Sequence, residues 1–122
     1  MSVWYRKSHE SLDCWRIAMD LVDAVYMLTA SFPSDERYSL TQQMRRAAYS
    51  IPSNIAEGKA RDTNKETLRG LYIARGSLAE LETQLEIAQR QNYYTPTPEM
   101  ELLLRKASQS LNGYIRYLAS RG

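Results

Sequence analysis

Few side chains in this 122-residue sequence are suited to catalysis or to metal binding. The chain has one histidine, His9, and one cysteine, Cys14. A zinc site needs several such ligands, and a nucleophile such as Cys14 would depend on the distant His9 as its base. The sequence also lacks the Glu-x-x-His pairs of metal-binding helical bundles and any glycine-rich phosphate loop. We therefore expect no catalytic residue, no metal, no cofactor and no enzymatic activity.

A polar stripe on the second predicted helix is the first candidate site. Four of its side chains, from Arg46 to Glu57, are spaced by four, four and three residues beside an apolar stripe. Arginines and carboxylates at such a boundary often form pairs that fix the register of neighbouring helices. The alternatives are a pore or ligand groove, or a catalytic site at a subunit boundary for which no nucleophile is evident. The predicted inter-helix network consists of Arg45, Arg46, Ser50, Asn54, Glu57, Glu80 and Glu82. In it, the third-helix residues Glu80 and Glu82 are the expected partners of Arg45 and Arg46.

Basic residues gather around the predicted turn between the second and third helices. Residues 37–75 carry eight basic and three acidic side chains, whereas residues 1–36 carry three and six. Clustered lysine and arginine can neutralise phosphates, and nine tyrosines could stack on bases. The simpler interpretation is that oppositely charged helices face each other and that the tyrosines pack in interfaces. The candidate nucleic-acid-binding residues are Arg37, Lys59, Arg61, Lys65 and Arg69.

Helices are the predicted elements that position these residues. Apolar side chains recur at spacings of three and four throughout the chain, as on one face of an α-helix. The first helix carries two such stripes, which begin at Cys14 and Trp15 and give it a face wide enough for two neighbours. The third helix has the most regular stripe, from Leu71 to Ala88. The predicted helices cover residues 12–31, 40–58, 64–92 and 98–119.

Capping and helix-breaking residues predict where these helices begin and end. The predicted N-caps are Ser39, Thr63 and Thr97. We expect Gly58 to end the second helix. Pro52 lies inside that helix, but the apolar spacing continues across it, which predicts one kinked helix. Gly70 and Gly76 weaken the third helix, and we expect a neighbouring backbone to approach them closely.

Composition places the chain among ordinary globular proteins, with 43% hydrophobic and 25% charged residues. A single cysteine favours a reducing compartment, and no apolar run approaches the roughly 18 residues of a membrane span. The polar start, residues 1–10, is unlike a secretory signal. We expect one all-α domain over residues 1–122, an antiparallel up-and-down four-helix bundle in the cytoplasm without membrane partners.

Three segments carry a recognisable pattern. They are YSLTQQMRRAA at residues 38–48, SIPSNIAEG at residues 50–58 and YIARGSLAELETQL at residues 72–85. Over nearly the whole chain the sequence resembles the 23S rRNA intervening-sequence proteins, also called four-helix bundle proteins. The resemblance implies a bacterial, cytoplasmic bundle that assembles into a ring-like homopentamer. It also implies a relation to the accessory variability determinant of diversity-generating retroelements, which binds a reverse transcriptase and nucleic acid.

Two functions follow from these observations. The first is a non-catalytic homo-oligomer, pentameric as the resemblance implies, that acts as an interaction or scaffold module. The surplus apolar surface of the first helix supports it independently, because such surface is typical of a contact with a partner subunit. A heterologous contact between copies can close into a ring. The alternative is an accessory protein that binds RNA, DNA or a reverse transcriptase through the basic region. With a net charge of +2 the chain is only weakly basic, whereas the retroelement relative is a basic pentamer.

Overall fold

The computed structural model describes residues 8–121, and all regular structure in that range is helical. The four long helices are α1 (Asp13–Thr29), α2 (Leu40–Ala60), α3 (Asn64–Arg90) and α4 (Pro98–Arg121). Short 3-10 helices occupy Ser8–Ser11 and Ser34–Glu36. The all-helical prediction is thus confirmed. Within the described range, no helix has both the length and the apolar content needed to cross a membrane.

Each long helix packs against two of the other three. Helices α1 and α3 both contact α2 and α4, whereas within residues 8–121 α1 does not contact α3 and α2 does not contact α4. The helices therefore occupy four corners, with α1 and α3 on one diagonal. One hydrophobic core lies between them and contains side chains from all four.

The predicted apolar stripes form this core. Every member of the α3 stripe, from Leu71 to Ala88, is buried. The first α1 stripe is also buried apart from Leu28, which is half-buried. The second α1 stripe is different, because Met19 and Tyr26 are exposed while Trp15 is half-buried. A wide apolar face was correctly predicted for α1, but part of it lies outside the core of the chain.

Two of the three predicted N-caps are confirmed. The Thr63 hydroxyl accepts a hydrogen bond from the Glu66 backbone N–H at 3.1 Å. The Thr97 hydroxyl accepts one from Met100 N–H, also at 3.1 Å. The third cap is wrong, since the Ser39 side chain makes no capping bond. Instead, Leu40 N–H donates to the Glu36 carboxylate at 3.3 Å, so a residue from the preceding turn performs the capping.

Glycine positions depart from prediction in two places. Helix α2 runs past Gly58 to Ala60, and the chain turns at Asp62, whose φ is 63°. Gly58 is buried against Gly70, where a Cβ would lie 2.4 Å from the Asn54 carbonyl oxygen and 3.0 Å from the Gly58 Cα. The expected close approach is therefore confirmed at Gly70. It is wrong at Gly76, where nothing from a neighbouring helix within residues 8–121 lies within 4 Å of an added Cβ.

Pro52 does not interrupt α2. The helix is continuous from Leu40 to Ala60, and Pro52 is buried within it. Ile51 and Ile55, the apolar residues on either side, are both fully buried in the core. Burying these side chains contributes about 1.5–3 kcal/mol each, which offsets the roughly 3 kcal/mol that proline costs in a helix interior. The prediction of a single helix across Pro52 is confirmed.

Candidate functional site

The predicted polar stripe holds α2 against α3. The Ser50 hydroxyl lies 2.8 Å from the Ser77 hydroxyl, and either can donate. Asn54 Nδ2 donates to the Ser50 carbonyl oxygen at 2.8 Å and to the Ser50 hydroxyl at 3.0 Å. These bonds lie next to the Gly58–Gly70 contact, where the two backbones approach closely. Ser77 was not predicted as a partner of Ser50. A small polar residue in an otherwise apolar stretch of α3 is nevertheless a sign of a hydrogen bond to a neighbouring helix.

Arg45 does not bind the glutamates that the sequence suggested. Its Nε donates to the Thr29 hydroxyl at 2.8 Å, and its Nη2 donates to the Tyr26 carbonyl oxygen at 3.4 Å. The guanidinium also lies 4.6 Å from the centre of the Tyr26 ring. The last carbonyls of α1 carry partial negative charge, so they attract this cation without a carboxylate. Arg45 therefore joins α2 to α1, not to α3.

The remaining charged members of the predicted network are exposed. Within residues 8–121 neither Arg45 nor Arg46 forms an ion pair with Glu80 or Glu82, so that pairing is wrong for the single chain. Glu80 instead accepts a hydrogen bond from Gln84. Although the Glu82 side chain is exposed, partial desolvation of its carboxyl group raises its pKa.

The alternative interpretation of the stripe, a ligand groove, has a physical counterpart. A shallow groove of about 500 Å³ runs along the outer side of α2. Its walls combine the exposed Arg46 and Glu57 with the hydroxyls and amide of the network. The lining residues are Arg46, Tyr49, Ser50, Ser53, Asn54 and Glu57.

The predicted basic cluster divides into separate parts. Arg37 precedes α2, so the 21 residues of that helix separate it from Arg61 by about 30 Å, and its expected place near the turn is wrong. Arg61 lies 3.5 Å from the Glu57 carboxylate and 3.8 Å from that of Glu66, which reduces its net charge. Lys59 is half-buried. Only part of the predicted cluster is therefore free to attract an anion.

Lys65 and Arg69 line a groove that we call the α3 face, and Arg69 also lines a smaller groove that it shares with Arg61. The groove has a volume of about 630 Å³ and also includes Arg121 from the end of α4. Tyr72 and Ile73 lie in the same groove and are 47% and 46% exposed. Arg121 was not predicted, because its proximity to α3 depends on the packing of α4. The face combines three cations with apolar side chains.

The two residues with nucleophile or base chemistry are in structural positions. The His9 ring packs on Trp15 with 4.9 Å between ring centres. Cys14 is 4% exposed, and burial raises the pKa of its thiol to about 11, so it is a neutral thiol at physiological pH. Among residues 8–121 no three histidine, cysteine or acidic side chains are grouped as a metal site requires.

One protein-family model matches most of the chain. The model for the 23S rRNA-intervening sequence protein family matches residues 10–113. The chain belongs to this family. The matched range contains the α2–α3 polar contacts, Lys65 and Arg69 of the α3 face, and most of α4, but not Arg121. Comparison with curated proteins gives no match.

One buried group of this 23S rRNA-intervening sequence protein was not predicted. Gln84 on α3 is only 8% exposed, and its Nε2 donates to Glu80 Oε2 at 3.2 Å. Its Oε1 has no hydrogen-bond partner in the described part of the chain, residues 8–121. Leaving a buried polar atom without a partner costs about 1–3 kcal/mol. Gln84 lies three residues after Leu81 and four before Ala88, and this helical spacing within the apolar stripe of α3 indicates a buried position.

We expect Gln84→Met to stabilise the protein. Methionine keeps the length of the side chain and removes the unpaired oxygen, which should raise the free energy of unfolding by about 1 kcal/mol. Urea unfolding followed by circular dichroism measures this change. Gln89→Met, an exposed position on the same helix, is the matched control and should have little effect. Lower stability of the Gln84 variant would contradict the prediction and indicate that Oε1 is bound in solution.

Proposed function

We propose that the chain is a non-catalytic homo-oligomer, a pentameric ring that acts as an interaction or scaffold module in the bacterial cytoplasm. Each subunit is an antiparallel up-and-down bundle. The order of contacts supports this arrangement, because Ser50 lies beside Ser77 whereas Gly58, later in α2, lies beside Gly70, earlier in α3. The observation that carries the proposal is the apolar surface that α1 leaves outside its own core.

This surface lies on the outer side of α1. Met19, Tyr26 and Met27 are 38%, 40% and 81% exposed. Single exposed apolar residues are common, but three large ones within nine positions of one helix form a patch typical of interfaces. Methionine and tyrosine are also enriched in protein–protein contacts. A second copy of the chain is the simplest partner for such a patch, because it requires no other protein.

Light scattering coupled to size exclusion tests the proposal. At micromolar concentration we expect a mass about five times the 14.1 kDa of one chain. The variant Met19→Glu/Met27→Glu should shift the mass to that of one chain, because burying the new carboxylates without partners is costly. Leu102→Glu changes polarity in the same way at an exposed α4 residue and serves as the control. A clean monomer for the unmodified chain would contradict the proposal.

The second candidate is an accessory protein that binds RNA or DNA, alone or with a reverse transcriptase. The α3 face favours it, since Lys65, Arg69 and Arg121 form no ion pair within residues 8–121 and lie beside Tyr72. Cations bind phosphates, and an exposed ring can stack on a base. A ring would repeat this weak site and increase its avidity. Binding should then weaken steeply as salt increases.

A further inference from the structure

The α3 face is positive and partly apolar. Among residues 8–121 no acidic side chain lines its groove, and three basic ones do: Lys65, Arg69 and Arg121. Tyr72 and Ile73 supply exposed apolar area between these charges. The guanidinium of Arg75 also lies 5.2 Å from the centre of the Tyr72 ring and adds positive charge at the edge of the α3 face. A suitable partner for this face presents carboxylates and apolar side chains together.

The outer side of α1 has that composition, and we call it the α1 face. It consists of five exposed residues spaced so that they share one side of the helix. Asp20 and Asp23 supply two carboxylates that form no ion pair within residues 8–121. The members of the α1 face are Met19, Asp20, Asp23, Tyr26 and Met27.

Basic residues near the α1 face form no ion pair with its two carboxylates. Arg16 pairs with Asp13 and donates to the Glu10 carbonyl oxygen. Arg45 lies over the Tyr26 ring and donates to neutral acceptors, so it leaves one positive charge at the C-terminal end of the face. Lys106 of α4 lines the same groove as Met19 and Asp20 but forms no ion pair within residues 8–121. The face therefore has two unpaired carboxylates among three large apolar side chains.

The two faces lie on helices that are not neighbours. Within residues 8–121 the backbones of α1 and α3 do not approach each other, and both helices pack on α2 and α4. The outward surfaces of α1 and α3 therefore do not meet within one bundle, and one chain cannot join its own two faces. A contact between them must be made by two copies, and it is heterologous, the type that generates closed rings or filaments.

We propose that the α3 face of one copy docks on the α1 face of the next. This inference rests on the proposed homo-oligomer and assigns its interface. Lys65 and Arg69 pair with Asp20 and Asp23, while the apolar side chains of the two faces pack together. A second copy fits the α3 face better than RNA does, because the same chain carries a surface complementary in both charge and apolar content.

Charge reversal on each face tests the pairing. We expect Lys65→Glu/Arg69→Glu and Asp20→Lys/Asp23→Lys each to weaken association by at least about 100-fold, because like charges then oppose each other. The four-residue combination restores opposite charges and should restore the oligomer. Arg105→Glu/Arg116→Glu, at exposed α4 positions, matches the charge change of the α3 variant and should leave assembly unaffected. Sedimentation velocity gives the masses, and thermal melting shows that each variant is folded.

The outcomes separate this inference from the proposed function. If the unmodified chain is an oligomer and neither reversal weakens it, the pairing of the faces is wrong while the homo-oligomer stands. Failure of the combined variant to reassemble would likewise overturn the pairing. If the unmodified chain is a monomer that shifts with a structured RNA at low salt, and Lys65→Glu/Arg69→Glu abolishes that shift, both proposals are wrong and the α3 face binds nucleic acid.

Discussion

Gly70→Ala should lower the free energy of unfolding by about 2–3 kcal/mol, although alanine is the better helix former. The added Cβ would lie 2.4 Å from the Asn54 carbonyl oxygen and 3.0 Å from the Gly58 Cα. Both are backbone atoms, so the clash cannot be relieved by rotating a side chain. Helices α2 and α3 would have to separate, which also lengthens the Ser50–Ser77 hydrogen bond. We expect the melting temperature to fall by roughly 10 °C.

Gly76→Ala is the matched control on the same helix. Its Cβ would meet no atom within 4 Å, so only the effect on helix propensity remains. That effect stabilises the protein by about 0.5–1 kcal/mol. The two alanine variants should therefore change stability in opposite directions in urea unfolding. Equal effects at both positions would show that the close approach of α2 and α3 is not maintained in solution.

These two glycines also show where prediction from sequence ends. Both occupy the interior of a strongly periodic helix, and the local sequence gives each the same expectation. Which of them touches a neighbouring backbone depends on the packing of α2 against α3, which no short-range rule contains. The stripe from Leu71 to Ala88 was predictable for the opposite reason, because periodic burial is set by the geometry of one helix. The Thr63 and Thr97 caps are local in the same way.

The candidate sites were predicted less completely than the helices. Arg45 and Arg46 are adjacent, so they point about 100° apart and cannot share a partner helix. Arg45 follows the core residue Met44 and faces α1, whereas Ser50 and Asn54 lie on the α3 side. The α3 face needed the packed structure, since Arg121 joins Lys65 only through the docking of α4. The sequence alone predicted a cluster of basic residues around the turn between α2 and α3, but it did not predict that Arg37 lies far from that cluster.

Stability should depend on Arg45 and not on Arg46, even though the two are neighbours of the same type. Arg45→Ala removes the bond to the Thr29 hydroxyl, the bond to the Tyr26 carbonyl and the contact with the Tyr26 ring. Charged hydrogen bonds and a cation–π contact of this kind together contribute about 2 kcal/mol. Thr29 still donates to the Val25 carbonyl at 2.7 Å, so its hydroxyl is not left without a partner. We therefore expect the free energy of unfolding to fall by about that amount.

Arg46→Ala provides the comparison, because Arg46 is exposed and its loss should change stability by less than about 0.5 kcal/mol. Chemical unfolding of both variants at one protein concentration measures the difference. The double variant Arg45→Ala/Thr29→Val should cost less than the sum of its single changes, since the two side chains share one bond. Additive effects would mean that the Arg45–Thr29 hydrogen bond contributes nothing to stability. In that case the effect of Arg45→Ala would come from its contacts with Tyr26 alone.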